Sequence, residues 1–117
     1  VGSALAEANF VVFGNNNDDT GTTSSSLSGI SKRSKREWNC DEKGTVTADV
    51  KIDISDATGH SGSISAASNY TLLFKTCEFC TFSEVETGDS ASGDVITFSS
   101  VAIQDGIYSI ASADSNL

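Results

Sequence analysis

The chain has 117 residues, ten Gly, no Pro and a formal net charge of −9, with a pI near 4.2. This length suits one domain with a single core. An acidic body is repelled by nucleic acid and by anionic membrane surfaces, so neither is an expected partner. No apolar run reaches the about 18 residues of a membrane span, so no membrane insertion is expected. The chain begins with Val1 and contains no methionine, which indicates a processed or excised piece.

Strand patterns follow one another along the chain. The candidates before and after the central region are ANFVVFG (8–14), YTLLFKT (70–76), TFSEVET (81–87), DVITFSSVAI (94–103) and GIYSIAS (106–112). Each is short, β-branched or aromatic, and bounded by turn residues. Helical signal is confined to SALAEA (3–8) and ISAASN (64–69), and the long irregular stretch is a polar loop over 15–31.

The central region has the clearest alternation. Residues 45–54 place five apolar side chains at every second position, namely Val46, Ala48, Val50, Ile52 and Ile54. Period two indicates a strand with one face on a core. Residues 34–40 alternate in the same way, which puts Trp38 on the inner face as a core anchor. The connection DEKG between the two strands predicts one antiparallel hairpin over residues 34–54.

Several short strands without amphipathic helices predict an all-β fold, an antiparallel sandwich of about seven strands, in a single domain over residues 1–117. The residues that we expect in its core are Trp38, Val46, Val50 and Ile52.

Motifs in these strands resemble the immunoglobulin-like β-sandwich repeat of large secreted and cell-surface, adhesin-type proteins of Bacteroidota-type bacteria. The matching positions are Arg36 and Trp38, Val46, Val50 and Ile52, Tyr70, Leu72 and Leu73, Val95, Thr97 and Phe98, and Asp105, Gly106 and Tyr108. They cover nearly the whole chain, but all are core or turn positions. The chain departs from the repeat at TCEFCTF (76–82), where the repeat has a D-x-D-G-D-F loop, so a cation-binding role of that loop is not carried over.

The resemblance implies an extracellular, secreted, non-catalytic module of a filament or a large cell-surface protein. Its expected partners are copies of itself or neighbouring domains, joined by strand pairing or by the end segments VGSALAEANF and IYSIASADSNL. The alternative is a carbohydrate- or ligand-binding module that uses loops at one end of the sandwich. Phe79 and Phe82, the two aromatic residues outside the predicted strand cores, would serve such a site.

The basic segment SKRSKREW (31–38) has two interpretations. Lys32, Arg33, Lys35 and Arg36 could form an anion site, or they could be the polar face of a strand, with the stem of Arg36 beside Trp38 as a cation–π pair. Lysines at a strand edge also oppose unwanted edge pairing. The acidic balance of the chain favours the structural interpretation.

Three cysteines leave one unpaired. The CEFC spacing could serve redox chemistry or half a zinc site, but neither the βαβ context nor further ligands are present. In an exported protein a structural disulfide is favoured, either Cys77 to Cys80 or Cys40 to one of them. We slightly prefer the local bond, which leaves Cys40 as an inert buried thiol.

Oxygen-bearing side chains cluster after the first strand. Asn15, Asn17, Asp18 and Asp19 have the hard ligands that calcium prefers, although Asn and Asp are also common in turns. No other cofactor is expected. Asn69 in NYT and Ser90 in DSA are weak glycosylation candidates.

Catalysis has little support in the sequence. The acids fall on water-facing strand positions and in loops, and the only His, His60, lies in a Gly/Ser stretch. GHSGS (59–63) lacks the strand-to-helix context of a nucleophile elbow. We therefore do not expect an enzyme.

Overall fold

The computed structural model describes residues 10–15, 22–24, 27–55, 64 and 66–113. These residues form ten strands and one 3₁₀ turn at Ala67–Asn69. The strands are β1 Phe10–Asn15, β2 Thr22–Ser24, β3 Lys32–Ser34, β4 Trp38–Lys43, β5 Val46–Asp53, β6 Tyr70–Lys75, β7 Ser83–Thr87, β8 Ser90–Ser92, β9 Val95–Ile103 and β10 Gly106–Ser112.

The strands form two sheets, and all of the pairings are antiparallel. The larger sheet has the order β1-β4-β10-β6-β7, and the short pair β2-β3 continues beside β10. The smaller sheet has the order β5-β9-β8. Because β6 occupies one edge of β10 along residues 107–112, β3 and β4 share the other edge. The all-β, antiparallel sandwich expected from the sequence is confirmed.

The last two described strands lie inside the sheets. β10 lies between β4 and β6, and β9 lies between β5 and β8. Constant-type immunoglobulin domains instead end on an outer strand of the CFG sheet. The strand order of this sandwich therefore differs from that of a constant-type immunoglobulin domain.

The predicted hairpin over residues 34–54 is wrong. β4 pairs with β1 and β10, whereas β5 pairs with β9 in the other sheet. Gly44 adopts a φ of 82°, in the left-handed region that suits Gly, and the chain crosses there from one sheet to the other. Alternation correctly gives the inner face of each strand, but it does not reveal which strand is the partner.

The main core lies between the two sheets. Trp38 and Val50 are only half-buried and pack against its border, so Trp38 is a border residue rather than a central anchor. The buried members are Cys40, Val46, Ala48, Ile52, Ile54, Tyr70, Leu72, Phe74, Ile96, Phe98, Val101, Ile103, Tyr108 and Ile110.

A second, smaller cluster covers the outer face of the larger sheet. Its buried members are Ile30, Leu73, Phe82 and Ala111. Leu73 follows Leu72 along β6, and the two point to opposite faces because side chains alternate along a strand. The central strands β6 and β10 are therefore covered on both faces, which explains why every residue of β6 is buried.

Most of the other predicted segments match the structure. The five strand candidates outside the central region are confirmed within one or two residues. ISAASN contributes the 3₁₀ turn, while SALAEA lies outside the described residues. The 15–31 stretch is not entirely a loop, because β1 extends through Asn15 and β2 pairs with β3. IYSIAS cannot be an end contact with a neighbouring module, since it forms most of β10, an interior strand.

A close turn fixes the start of β10. The Oδ1 atom of Asp105 accepts a hydrogen bond of 2.6 Å from the backbone N–H of Glu42. Gly106 has a φ of 153°, and a Cβ atom there would lie 2.6 Å from the carbonyl oxygen of Lys75. The hydroxyl of Tyr108 accepts a hydrogen bond of 3.0 Å from the backbone N–H of Gln104. Asp105, Gly106 and Tyr108 thus hold β10 against β4 and β6.

Candidate functional site

A disulfide closes the loop between β6 and β7. It joins Cys77 to Cys80, whose Cα atoms are 5.1 Å apart, and the backbone N–H of Cys80 donates to the carbonyl of Cys77 at 3.1 Å. Cys40 is a free, buried cysteine. Of the two pairings that the sequence left open, the structure has the local one.

A buried ion-pair cluster lies beneath this loop. Lys75 Nζ donates to Glu37 Oε1 at 3.1 Å and to the carbonyl of Glu78 at 2.9 Å. Arg33 Nη1 lies 3.5 Å from the same Glu37 oxygen. The side chains of Lys75 and Glu37 are only 7% and 16% exposed. The hydrogen bond from Lys75 to the carbonyl of Glu78 links the cluster directly to the disulfide loop.

The ring of Phe82 completes the cluster. Lys75 Nζ lies 4.5 Å from the ring centroid, and the guanidinium carbon of Arg33 lies 5.0 Å from it. Both distances are within the range of a cation–π interaction. Phe82 is only 9% exposed, so it is part of the packing and is not available to a ligand. Two cations thus share one aromatic ring and one carboxylate.

The cluster supports the structural interpretation of the basic segment. The charge of Arg33 is shared between Glu37 and Phe82 inside the molecule, and Lys32, Lys35 and Arg36 are all half-buried. An anion site needs a cation whose charge points outward and is not already compensated. Arg33 does not meet that requirement.

Phe79 stands out at the tip of the disulfide loop. Its side chain is 95% exposed. Among the described residues, the other exposed large hydrophobic side chain is Val85 on β7, at 41%. A large aromatic side chain in water, on a loop held by a disulfide and a buried lysine, is typical of a contact residue.

An apolar cleft opens beside β5. It has a volume of about 540 Å³ and lies between β5 and four strands of the larger sheet. Its apolar lining consists of Phe13, Trp38, Val50, Ile52, Leu72 and Tyr108. The rings of Phe13 and Tyr108 are 6.2 Å apart and tilted by 59°, a spacing that aromatic pairs favour. The cleft can accept an apolar or aromatic group of a partner.

Among the described residues, the polar residues that line the cleft are Asp49 and Lys51 of β5. Asp49 lies at a β-bulge, where its Oδ1 accepts a hydrogen bond of 2.9 Å from the backbone N–H of Ser100. Ser100 has a φ of 55°. Asp49 and Lys51 are both exposed, so the rim has one anion and one cation.

A second cavity, of about 500 Å³, lies where β1, β4 and the start of β10 meet. It is lined by Gly14, Asn39, Cys40, Asp41 and Asp105. Burial, together with the nearby carboxylates of Asp105, Glu42 and Asp41, raises the pKa of the Cys40 thiol to about 11. The thiol is therefore protonated at neutral pH and is a poor nucleophile.

The remaining site candidates do not converge on one place. Asn15 is the last residue of β1, while Asn17, Asp18 and Asp19 lie outside the described residues. Within the described ranges, no group of three or more His, Cys, Asp or Glu side chains could hold a metal ion. For glycosylation, the side chain of Asn69 is half-buried in the 3₁₀ turn, and that of Ser90 is exposed on β8.

Sequence reasoning missed the cleft and the ion-pair cluster. Lys75 ends a strand that is otherwise apolar or uncharged, YTLLFK, and a lysine at such a position was a signal that it has a buried partner. No local signal identified Glu37 as that partner, because the two residues are 38 positions apart. The cleft has no signal in the sequence, since its lining comes from five strands.

Comparison with protein families gives one match. Residues 2–107 match the family described as Domain of unknown function (DUF8202), and the chain belongs to this family. Searches of the curated proteins and of the solved structures find no match. In the described part of the chain, none of the helical segments has the length and apolar character of a membrane span.

Proposed function

We propose that this member of the DUF8202 family is a non-catalytic structural or adhesive module of an extracellular filament or a large cell-surface protein. The observation that carries the proposal is the side chain of Phe79, which is 95% exposed at the tip of a disulfide-closed loop. An exposed aromatic residue on an ordered loop is available for contact with a partner, because aromatic side chains contribute much of the binding energy of interfaces. The disulfide indicates a non-cytoplasmic environment.

The architecture supports a scaffold role. A main core lies between the sheets and a second cluster packs on the outer face of the larger sheet, so the central strands β6 and β10 are packed on both faces. The motifs that resemble immunoglobulin-like repeats of Bacteroidota adhesins support the same role. No cofactor and no nucleic acid is part of this proposal, and the partners are copies of the chain or neighbouring domains.

Strand pairing is available at the edges of both sheets. β5 has eight residues and, among the described strands, pairs only with β9. Its outer edge has the backbone groups with which another strand could pair. Asp49, Lys51 and Asp53 on its exposed face oppose pairing with an unmatched sequence.

The proposal is tested on the native protein in intact cells. A membrane-impermeant label and immunogold electron microscopy should find the chain on the cell surface or in an extracellular filament. Mass spectrometry after alkylation without reduction should find Cys77 bonded to Cys80. A protein that is found only inside the cell, with three free thiols, would refute the proposal.

The cleft favours a second candidate function, the binding of a glycan or another small ligand. The half-buried ring of Trp38 provides a stacking surface at the cleft, and the exposed ring of Phe79 provides another at the loop. A glycan array probed with the purified chain tests this function. Binding that is lost in Phe79→Ala or Trp38→Ala, but retained in Val85→Ala, would favour it over the scaffold role.

A further inference from the structure

We propose that Phe79 of one copy docks in the apolar cleft of a second copy. The disulfide loop, residues 77–80, is the donor, and the cleft beside β5 is the acceptor. This contact deepens the proposed function and rests on it for the presence of neighbouring copies. The contact would join neighbouring copies through the side chain of Phe79 and the cleft, with or without strand pairing.

The donor and the acceptor lie on different surfaces of the molecule. The loop is anchored on the outer face of the larger sheet, where Lys75 contacts Phe82. The cleft opens on the inner side, where Leu72 and Tyr108 belong to the main core. Phe79 is 95% exposed, so it does not fill the cleft of its own chain. A contact between two different surfaces is heterologous, and repetition of it extends a row of copies.

The two surfaces are chemically complementary. The cleft is lined mainly by aliphatic and aromatic side chains, and the half-buried Phe13 and Trp38 offer ring edges and faces to an incoming phenyl ring. Lys51 is an exposed cation at the rim, and Glu78, directly before Phe79, is an exposed anion. Docking of Phe79 brings the carboxylate of Glu78 towards the rim, where Lys51 can pair with it.

The donor loop is already ordered before it binds. The disulfide and the hydrogen bond from Cys80 to Cys77 close the loop, and Lys75 holds the carbonyl of Glu78 at 2.9 Å. Little conformational freedom is lost when such a loop docks. The free chain therefore presents Phe79 in the conformation that the contact needs.

The lining favours an apolar side chain over a sugar. Recognition of a sugar needs several polar partners around its hydroxyl groups, whereas the polar residues in the described lining are Asp49 and Lys51 alone. One docked side chain buries less surface than a stable interface does, so the contact between free copies should be weak. Tethering in a surface assembly raises its occupancy through effective concentration.

Sedimentation velocity of the purified chain tests the contact, at about 0.15 M salt to screen the net charge. We expect association that increases between about 10 µM and 1 mM. Phe79→Ala should weaken the association by about tenfold or more, whereas Val85→Ala, the matched change at the other exposed hydrophobic residue, should leave it unchanged. Trp38 is the only tryptophan of the chain, so its emission should shift to the blue on association and not in Phe79→Ala.

Charge reversal tests the orientation. Lys51→Glu and Glu78→Lys should each weaken the association, and the double variant should recover it. A mixture of Phe79→Ala and Lys51→Glu chains should form one-to-one dimers and nothing larger. The Phe79→Ala chain keeps an intact cleft but has no docking side chain, whereas the Lys51→Glu chain keeps Phe79 but has an altered cleft.

A chain that stays monomeric at about 1 mM, or one whose association survives Phe79→Ala, would overturn the contact. Failure of the charge-reversed pair to recover, or of the mixture to form dimers, would also overturn it. These outcomes are independent of cellular location. If the protein lies on the cell surface but does not self-associate, the proposed function stands and this contact is refuted. If the protein is intracellular, only the proposed function is refuted.

Discussion

Lys75 Nζ and Glu37 Oε1 are 3.1 Å apart, in a pair whose side chains are 7% and 16% exposed. The pair joins the end of β6 to the segment that connects β3 with β4. A buried lysine is tolerated only when its charge is compensated, and here a carboxylate, a carbonyl and an aromatic ring share the compensation. The pair thereby fixes the base of the loop that displays Phe79.

Glu37→Gln should lower the free energy of unfolding by about 1–3 kcal/mol, because it leaves the Lys75 ammonium without its anionic partner. Urea denaturation measures this effect. Glu84→Gln, the same change at an exposed residue of β7, is the control and should cost less than about 0.5 kcal/mol. A double variant with Lys75→Met should recover part of the loss. Equal stability of the two single variants would contradict this role of Glu37.

Gly106→Ala should destabilise the fold by about 2–4 kcal/mol, since the added methyl group meets the Lys75 carbonyl and the Phe74 ring. Gly93→Ala is the matched control. Gly93 also has a positive φ, 58°, but nothing lies within 4 Å of its Cβ position, so only the backbone cost of about 1 kcal/mol is expected. If thermal unfolding shows the same loss for both variants, the close approach at Gly106 does not contribute.

Cys40 should react with a thiol reagent only after unfolding. Its pKa of about 11 and its burial keep the thiolate population and access low, and the other two cysteines are joined. Absorbance with a disulfide reagent at pH 8 should report almost no thiol in buffer and one per chain in denaturant. Rapid reaction in buffer would show that β4 opens easily.

The raised pKa of Cys40 also makes stability depend on pH. A thiol whose pKa is higher in the folded than in the unfolded state contributes stability that is fully present below pH 9 and is lost as the pH rises towards about 11. The wild-type chain should therefore lose more stability over this range than Cys40→Ala does. Parallel pH profiles of the two chains would contradict the shift.

Glu86→Gln should stabilise the chain at pH 7. Burial raises the pKa of Glu86, and the neighbouring Asp89 raises it further; Glu86 Oε1 is buried without a hydrogen-bond partner. The stability that a raised carboxyl pKa contributes is present at low pH and is lost as the pH rises through it. The advantage of the variant should therefore disappear near pH 3. Glu84→Gln serves as the control, and an advantage that persists at pH 3 would argue against titration as its cause.

Removing the disulfide with Cys77→Ser and Cys80→Ser should cost about 2 kcal/mol, a small effect because the closed loop is short. The larger consequence is loss of order at Phe79, which amide hydrogen exchange at residues 76–81 would detect. Unchanged exchange would show that Lys75 alone holds the loop.

The strands were predictable because their information is local. Val46, Ala48 and Ile52 repeat at period two, so their inner face follows from the sequence. The partner of β5 was not predictable, since alternation is satisfied equally by a hairpin with β4 and by a crossing to β9. The site was predictable only at its local features, the Cys77–Cys80 spacing and Phe79 between the two cysteines. The cleft and the Lys75–Glu37 pair depend on residues brought together from distant strands, for which one sequence has no signal.

The nested strand order has a consequence for how the molecule is made. β9 and β10 are the central strands of their sheets, yet they come last among the described strands. A chain that stops before Val95 lacks β9, the strand between β5 and β8, and β10, the strand between β4 and β6. Such a fragment retains only outlying pairs, such as β1 with β4 and β6 with β7. Closure of the core therefore waits for residues 95–112, and a chain that has not reached them remains open to proteases.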